Sequence, residues 1–238
     1  MSDAVVTTIT KAKSRKHLYH FTRVRNLPAI AHLDQLLSSN EINPISTGDR
    51  RLKPEKVSYH EYSITLNAHL RIANSMIDAA TTLEQFRACL DRHVFFWPTL
   101  RDCKKMMDTY ARREPDEEFA VLEFDAYALL SEHYYTVKLS KYDSGSSPRF
   151  PTRCSYKKSL DMFLPLDEFK IVLNNLVPAK ASEIREILIE GQVNSVSKYL
   201  QSVYVNKCED VPERWRSLTL PLSDLVLRNP LIQPFRFF

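Results

Sequence analysis

The sequence predicts an α+β protein. Short aromatic or β-branched runs (His17 to Thr22, His93 to Trp97, Ile184 to Val193) mix irregularly with segments whose leucines recur at helical intervals, so no regular βαβ series develops. With 44% hydrophobic and 26% charged residues, the 238-residue chain has the proportions of a globular protein. Only 3 residues are glycine: Gly48, Gly145 and Gly191. That excludes a glycine-rich dinucleotide turn and a Walker-type phosphate loop, each of which needs clustered glycines.

Residues 1–16 are polar and basic, and a frayed lead-in is expected there. His17-Leu-Tyr-His-Phe-Thr22 reads as a strand bounded by charge. Asn26 is placed to cap a helix that tolerates Pro28 in its first turn, and Leu27, Ile30, Leu33 and Leu37 carry it to near Ser38. Residues 40–62, with Pro44, Gly48 and Pro54, read as a long loop. Two helices are expected over 65–80 and 82–90, followed by an apolar strand, Arg92 to Pro98, stopped by its proline. Thr99 then caps a helix to about Arg112, with Leu100, Cys103, Met107 and Tyr110 on one face.

Phe119 to Phe124 and Tyr134 to Leu139 are strand-like, and a Ser/Pro/Gly-rich connection fills 140–156. Phe169, Val172, Leu173 and Leu176 mark a further helix. Ile184 to Val193 is a strand with a bulge or turn at Gly191, and Asn194 caps a helix through about Val203. The tail from Val211 holds Pro212, Pro221, Pro230 and Pro234, which predicts an extended segment packed on the surface. The expected organisation is a basic lead-in (1–16), one domain (17–205) and a proline-containing C-terminal extension (206–238).

Lys and Arg exceed Asp and Glu by 33 to 29. The excess is gathered at Lys11, Lys13, Arg15, Lys16; at Arg50, Arg51, Lys53; and at Lys138, Lys141, Arg149, Arg153, Lys157, Lys158. Such clusters suit either solvated surface or a nucleic-acid groove. The four cysteines form no C-x-x-C pair, so neither a disulfide framework nor a zinc site is expected, and reduced thiols in a cytoplasmic protein are the reading. The N-terminus lacks the apolar run of a signal peptide, and no stretch approaches 18 apolar residues, so no membrane span is expected.

Three places could carry chemistry. His20 sits in mid-strand among hydrophobic neighbours, where its ring must find a polar partner: backbone in a core, or a ligand. Thr22 shares its face. In His93-Val-Phe-Phe-Trp97, alternation sends Phe95 and Trp97 to one side and Phe96 to the other, so one side can stack on a flat ring while the other fills the core. In Ser182 to Gly191, Ile184, Glu186, Leu188 and Glu190 share a face. Either that face is solvated and Ile187 and Ile189 form the core side, or Glu186 is a buried carboxylate, which costs several kcal/mol unless compensated. Glu183, Glu190 and Glu123 are rival carboxylates.

An early histidine strand, an aromatic middle strand and a glutamate in a late strand resemble the ADP-ribosyltransferase superfamily. The closer resemblance is to DarT-like toxins and to a related uncharacterised bacterial family with a V-F-F-W-P signature. Leu18-Tyr-His-Phe-Thr followed by Asn26-Leu-Pro-Ala-Ile is similar to the opening of those families, Val94-Phe-Phe-Trp-Pro98 to the signature, and Glu186-Ile-Leu-Ile-Glu-Gly-Gln-Val193 to the late strand. Lys141-Tyr-Asp-Ser-Gly-Ser146 resembles a small Ser/Gly loop before that half of the domain.

The resemblance implies a split β-sheet core with surrounding helices and transfer of ADP-ribose from NAD without a metal. Glu186 is the implied catalytic carboxylate; His20 and Thr22 would hold the ribose and amide, and Phe96 or Trp97 would lie near the nicotinamide. An arginine, Arg50 or Arg51 from the 48–53 loop or else Arg92, would bind the pyrophosphate. The implied acceptor is a nucleic acid, DNA or RNA, with protein open, and the implied role is a bacterial toxin or phage-defence effector with an antitoxin partner. The alternatives are an NAD glycohydrolase and an inactive nucleic-acid-binding module on the same fold.

Overall fold

The computed structural model describes residues 2–227. Two four-stranded sheets form the frame. The first combines β1 (His17–Arg23), β6 (Phe119–Asp125), β11 (Leu200–Val205) and β12 (Thr219–Pro221) in the order β1-β6-β11-β12. The second combines β5 (His93–Phe96), β7 (Val137–Ser140), β8 (Phe163–Pro165) and β9 (Glu186–Glu190) in the order β5-β9-β7-β8. All pairings are antiparallel except β11 with β12. The sheets meet where Tyr19 N–H donates to the Trp97 carbonyl at 2.9 Å and Trp97 N–H to the Tyr19 carbonyl at 2.8 Å. The α+β class is as expected.

Both faces of the second sheet are buried. Val94, Phe96, Ile187 and Ile189 pack with Leu18, Leu122, Phe124 and Val203 of the first sheet in the main core. Leu188, on the opposite face, packs with Phe163 and with Phe86 of α4 (Leu83–Asp91). α5 (Leu100–Ala111) covers Phe21, Val121 and Tyr204 through Cys103, Met106 and Met107. α5 begins as expected, with the Thr99 hydroxyl accepting from Asp102 N–H, and α4 lies where a helix was expected and opens with a reciprocal capping box of Thr82 and Gln85.

Several expected elements are corrected. The lead-in is not frayed: α1 (Ser2–Thr10) buries Val6 and Ile9 in the main core, and Arg15 donates to the Ile184 carbonyl at 3.2 Å. The helix after Asn26 is α2 (Leu27–Leu33), ending where Asp34 turns left-handed (φ 54°); Leu36 then lies in a short strand, β2 (Gln35–Leu37). Asn26 stands at the cap position, but its side chain instead exchanges two hydrogen bonds with Thr65. The 40–62 region holds α3 (Ser39–Ile42) and a hairpin, β3 (Glu55–Tyr59) and β4 (Tyr62–Leu66), reversed at His60.

No α-helix occupies 65–80, only a 3-10 turn at Asn74–Met76, because the chain there leaves β4 extended and His69 N–H bonds the Arg51 carbonyl. The helix expected around 169–176 is also absent: Lys170 is left-handed (φ 69°), and Ile171 and Leu173 are exposed. Past Gly191, the chain pairs with β2 as β10 (Gln192–Asn194), and α7 is one turn only (Val196–Tyr199) because the following residues join the first sheet as β11. The tail winds through 3-10 turns over Glu213–Leu218 into β12 and a last turn, α8 (Asp224–Leu227). Pro230 and Pro234 lie outside the described residues.

Candidate active site

The junction of the two sheets opens into a cavity of about 610 Å³, within the range of roughly 300–1,000 Å³ usual for small-molecule sites. β1 contributes His20 and Thr22, β5 contributes Phe95, and Trp97 follows it. β9 contributes Glu186, and the facing wall comes from residues 64–74 and α4. The late glutamate and the early histidine therefore border one space, although 166 positions separate them in the chain.

Glu186 is 2% exposed. It opens β9, opposite Ser140 of β7, and alternation turns its carboxylate away from the Ile187 and Ile189 side. The solvated-face alternative is thereby overturned. The Ser144 N–H donates to Oε2 at 2.9 Å. Burial and the nearby Asp143 charge push the carboxyl up to about 7, against the pull of Ser144 and Lys158. Near neutral pH the group is therefore poised to gain or lose a proton.

The loop that supplies Ser144 is held from beneath. Lys158 belongs to a basic cluster read as surface or groove, yet it is fully buried. Its Nζ donates to the carbonyls of Asp143, at 2.7 Å, and Ser144. Burial pulls this ammonium down to about 8, opposed by the carboxylates of Asp143 and Glu186. The Ser140 hydroxyl fixes the start of the same loop by donating to the Tyr142 carbonyl at 2.7 Å.

His20 Nδ1 lies 2.8 Å from the Phe95 carbonyl. The carbonyl can only accept, so Nδ1 carries the proton and Nε2 is left as an acceptor. Burial, against that hydrogen bond, lowers the ring to about 4, so it is neutral at physiological pH. Thr22 lies on the same strand face, also against the cavity. Trp97 lines the cavity too, but Phe96 does not: it is fully buried in the main core, with its ring 5.6 Å from His20 and 5.5 Å from Phe124. Phe95 takes the cavity position instead, as strand alternation requires.

Among the described residues four arginines border the cavity: Arg50, Arg51, Arg71 and Arg87. Arg51 is buried, bonding Asp91 at 2.5 Å and the Asn67 carbonyl at 3.1 Å. Burial would raise the Asp91 carboxyl, but hydrogen bonds from His69 and Arg51 outweigh it and hold it below its ordinary value. Arg87 donates to the Gly48 carbonyl at 2.7 Å. No carboxylate pairs with Arg50, Arg71 or Arg87 among the described residues. Arg92 is exposed and does not border the cavity.

The rival carboxylates lie elsewhere. Glu183 accepts from Ala179 N–H, Glu190 is half exposed beside Lys138, and Glu123 accepts from the Tyr204 hydroxyl at 2.7 Å in the other sheet. Arg71, Arg87, Ser144 and Lys158 went unread as site residues. Ser144 had a signal in the Ser/Gly loop and Lys158 only as one of a basic cluster; the arginines come from a stretch expected to be helical and from a helix whose charges look solvated. Among the described residues no group of three or more His, Cys, Asp or Glu side chains could hold a metal ion. No helix there is long and apolar enough to cross a membrane.

A family model matches residues 16–200, which include the whole second sheet, β1 and β6 of the first, and every residue that lines the larger cavity. The chain belongs to DUF7002, a family of unknown function. No curated protein matches this DUF7002 chain. Among solved structures it is similar to DarT from Thermus sp. 2.9 in complexes with NAD+, with ADP-ribosylated ssDNA and with carba-NAD+. Identity is 12% in each case. The alignments cover 93%, 93% and 94% of this chain and 93%, 92% and 94% of the other, with TM-scores of 0.38, 0.37 and 0.39. A likeness that distant carries no argument about what this chain does.

Proposed function

We propose that this protein transfers ADP-ribose from NAD to a macromolecular acceptor, a nucleic acid by preference. The observation that carries the reading is Glu186: a buried carboxylate with a raised pKa, in one cavity with a neutral histidine and with arginines of which Arg50, Arg71 and Arg87 pair with no carboxylate among the described residues. Such a carboxyl destabilises the fold when ionised, and function is the usual reason to keep one.

The chemistry suits the parts. The C1′–N bond to nicotinamide breaks with its electron pair leaving on the ring nitrogen, which neutralises the pyridinium and leaves the cationic charge on the ribose. Ionised Glu186 stabilises that cation and, as the acceptor's lone pair bonds C1′, takes the acceptor's proton and passes it to solvent. His20 Nε2 and Thr22 are placed to bond the ribose and carboxamide, and Trp97 with Phe95 offers flat apolar surface. The pyrophosphate falls to the arginines. Arg50, with no ion pair to break, suits that role better than Arg51, whose guanidinium is committed to Asp91. A toxin or phage-defence role extends this reading by the sequence resemblance.

Incubation with NAD labelled in its adenylate half, against separate DNA, RNA and protein fractions, tests the proposal. Label joined to nucleic acid is expected. Free ADP-ribose alone would make the protein a glycohydrolase, and unconsumed NAD would leave only a binding module.

A further inference from the structure

α4 ends in a carboxylate with both oxygens engaged. Asp91 is 3% exposed, and three donors from outside its helix converge on it. Oδ2 accepts from Gly48 N–H at 3.0 Å, and Oδ1 accepts from Arg51 Nη2 at 2.5 Å and from His69 Nε2 at 3.0 Å. The Arg51 N–H donates to His69 Nδ1 at 3.1 Å, so that nitrogen is bare and the ring's proton sits on Nε2, directed at Asp91. His69 N–H bonds the Arg51 carbonyl at 2.9 Å in return, and Arg51 Nε holds the Asn67 carbonyl at 3.1 Å. One turn earlier on the same face of α4, Arg87 Nε donates to the Gly48 carbonyl at 2.7 Å. One helix therefore grips both backbone polar groups of Gly48. Arg50 stands between the anchored Gly48 and Arg51, with its side chain exposed and bordering the larger cavity.

We propose that Asp91 is the positioning residue of this wall: through Gly48, Arg51 and His69 it fixes the backbone from which Arg50 reaches into the cavity, and so sets the affinity for NAD rather than the rate of bond cleavage. This rests on the transferase reading above and adds to it the group that orders the nucleotide-binding wall.

The geometry assigns Asp91 no chemistry of its own, because its oxygens are buried and already hold three donors. A buried ion pair adds little stability over apolar side chains of the same volume, so the single arrangement that this one enforces is the better account of it. Residues 47–54 and 67–73 belong to no helix or strand, and the carboxylate ties the two runs to α4 and to each other. An arginine on a fixed backbone loses less freedom when it meets a phosphate, which favours binding. Asparagine cannot replace the carboxylate: whichever way its amide is turned, its NH2 faces at least one of the three donors.

The test is Asp91→Asn in the full-length protein, assayed for nicotinamide release over a range of NAD concentrations. KM is expected to rise at least about tenfold with kcat within about threefold of wild type, the signature of lost binding rather than lost chemistry. A purely structural Asp91 would instead lower kcat through the unfolded fraction and leave KM unchanged; that result, or wild-type values of both, overturns the proposal. His69→Gln keeps a donor for Asp91 but loses the ring's acceptor for Arg51 N–H, and should raise KM by less. If the Asn variant does not fold, an unchanged KM in His69→Gln overturns the proposal in its place. Amide hydrogen exchange without NAD gives a second readout: residues 47–51 and 67–69 should exchange at least about tenfold faster in Asp91→Asn, while 186–190 keep wild-type protection. Equal exchange in the two proteins refutes the clamp. If the wild type releases no nicotinamide, the transferase reading fails and the Kd of NAD by calorimetry decides the clamp. Binding at least about tenfold weaker in Asp91→Asn upholds it; an equal Kd, or no NAD binding by the wild type, refutes it.

Discussion

Glu186 keeps one backbone hydrogen bond and almost no water. An unfolded glutamate titrates near 4.5 and this one near 7, so the folded chain binds the proton more tightly. Its folding penalty is absent below about pH 4.5, grows as pH rises toward 7 and is complete above that. Burial makes the ionised form the costlier one, by on the order of a few kcal/mol. Glu186→Gln should therefore raise the melting temperature by several degrees at pH 8 and change it little at pH 4.5, which thermal unfolding at the two pH values checks. A stabilised yet inactive variant is what a functional carboxylate predicts; a destabilised one at pH 8 would make Glu186 structural. Lys158 acts on the same group at one remove. Lys158→Met should cut turnover about tenfold or more, because two loop carbonyls lose a charged donor. It should also move the ionisation limb of the pH–rate profile upward, because the ammonium now favours the Glu186 anion. Lower turnover with an unmoved limb would restrict Lys158 to holding the loop.

Among the elements, the 48–51 segment most clearly ties backbone conformation to the site. Gly48 is left-handed (φ 85°), its N–H donates to Asp91 Oδ2 at 3.0 Å, and a Cβ there would meet the Glu84 carbonyl and Ala88 Cβ at 3.2 Å. Gly48→Ala should cost about 1–2 kcal/mol by denaturant unfolding and raise the KM for NAD, because the loop presents Arg50 and Arg51. An unchanged KM would detach this loop from the nucleotide. The same region shows how far the sequence could be read. The histidine strand, the aromatic strand, the capped helices α4 and α5 and the Glu186 strand were legible, because alternation and capping are local signals. The β3–β4 hairpin and the extended run after it were not. Leu66, Leu70 and Ile77 fall at helical spacing, yet the segment is held by bonds to Arg51 and Lys158, partners distant in sequence. Arg71 was missed for the same reason, and Arg87 because it lies on a helix whose charges look solvated.

Across the whole molecule, the N-terminal helix and the site are coupled through the core. Val6 and Ile9 pack into the cluster that holds Ile187 and Ile189, and Arg15 anchors the Ile184 carbonyl just before Glu186. Val6→Asp should cost about 3–5 kcal/mol and lower activity in proportion to the unfolded fraction, as calorimetry alongside a turnover assay would show. Full stability in that variant would return residues 1–16 to the frayed lead-in expected from their polarity. That expectation failed because a single buried face on a short helix is hard to see among lysines and threonines. The central claim, that the Glu186 carboxylate assists cleavage of the nicotinamide bond, is met most directly by nicotinamide release from NAD between pH 5 and 9. The account predicts a wild-type rate that rises through about pH 7 to a plateau, and Glu186→Gln slower by at least about 100-fold with no such limb. Wild-type release rates from the Gln variant, or no release from the wild type at any pH, would contradict it.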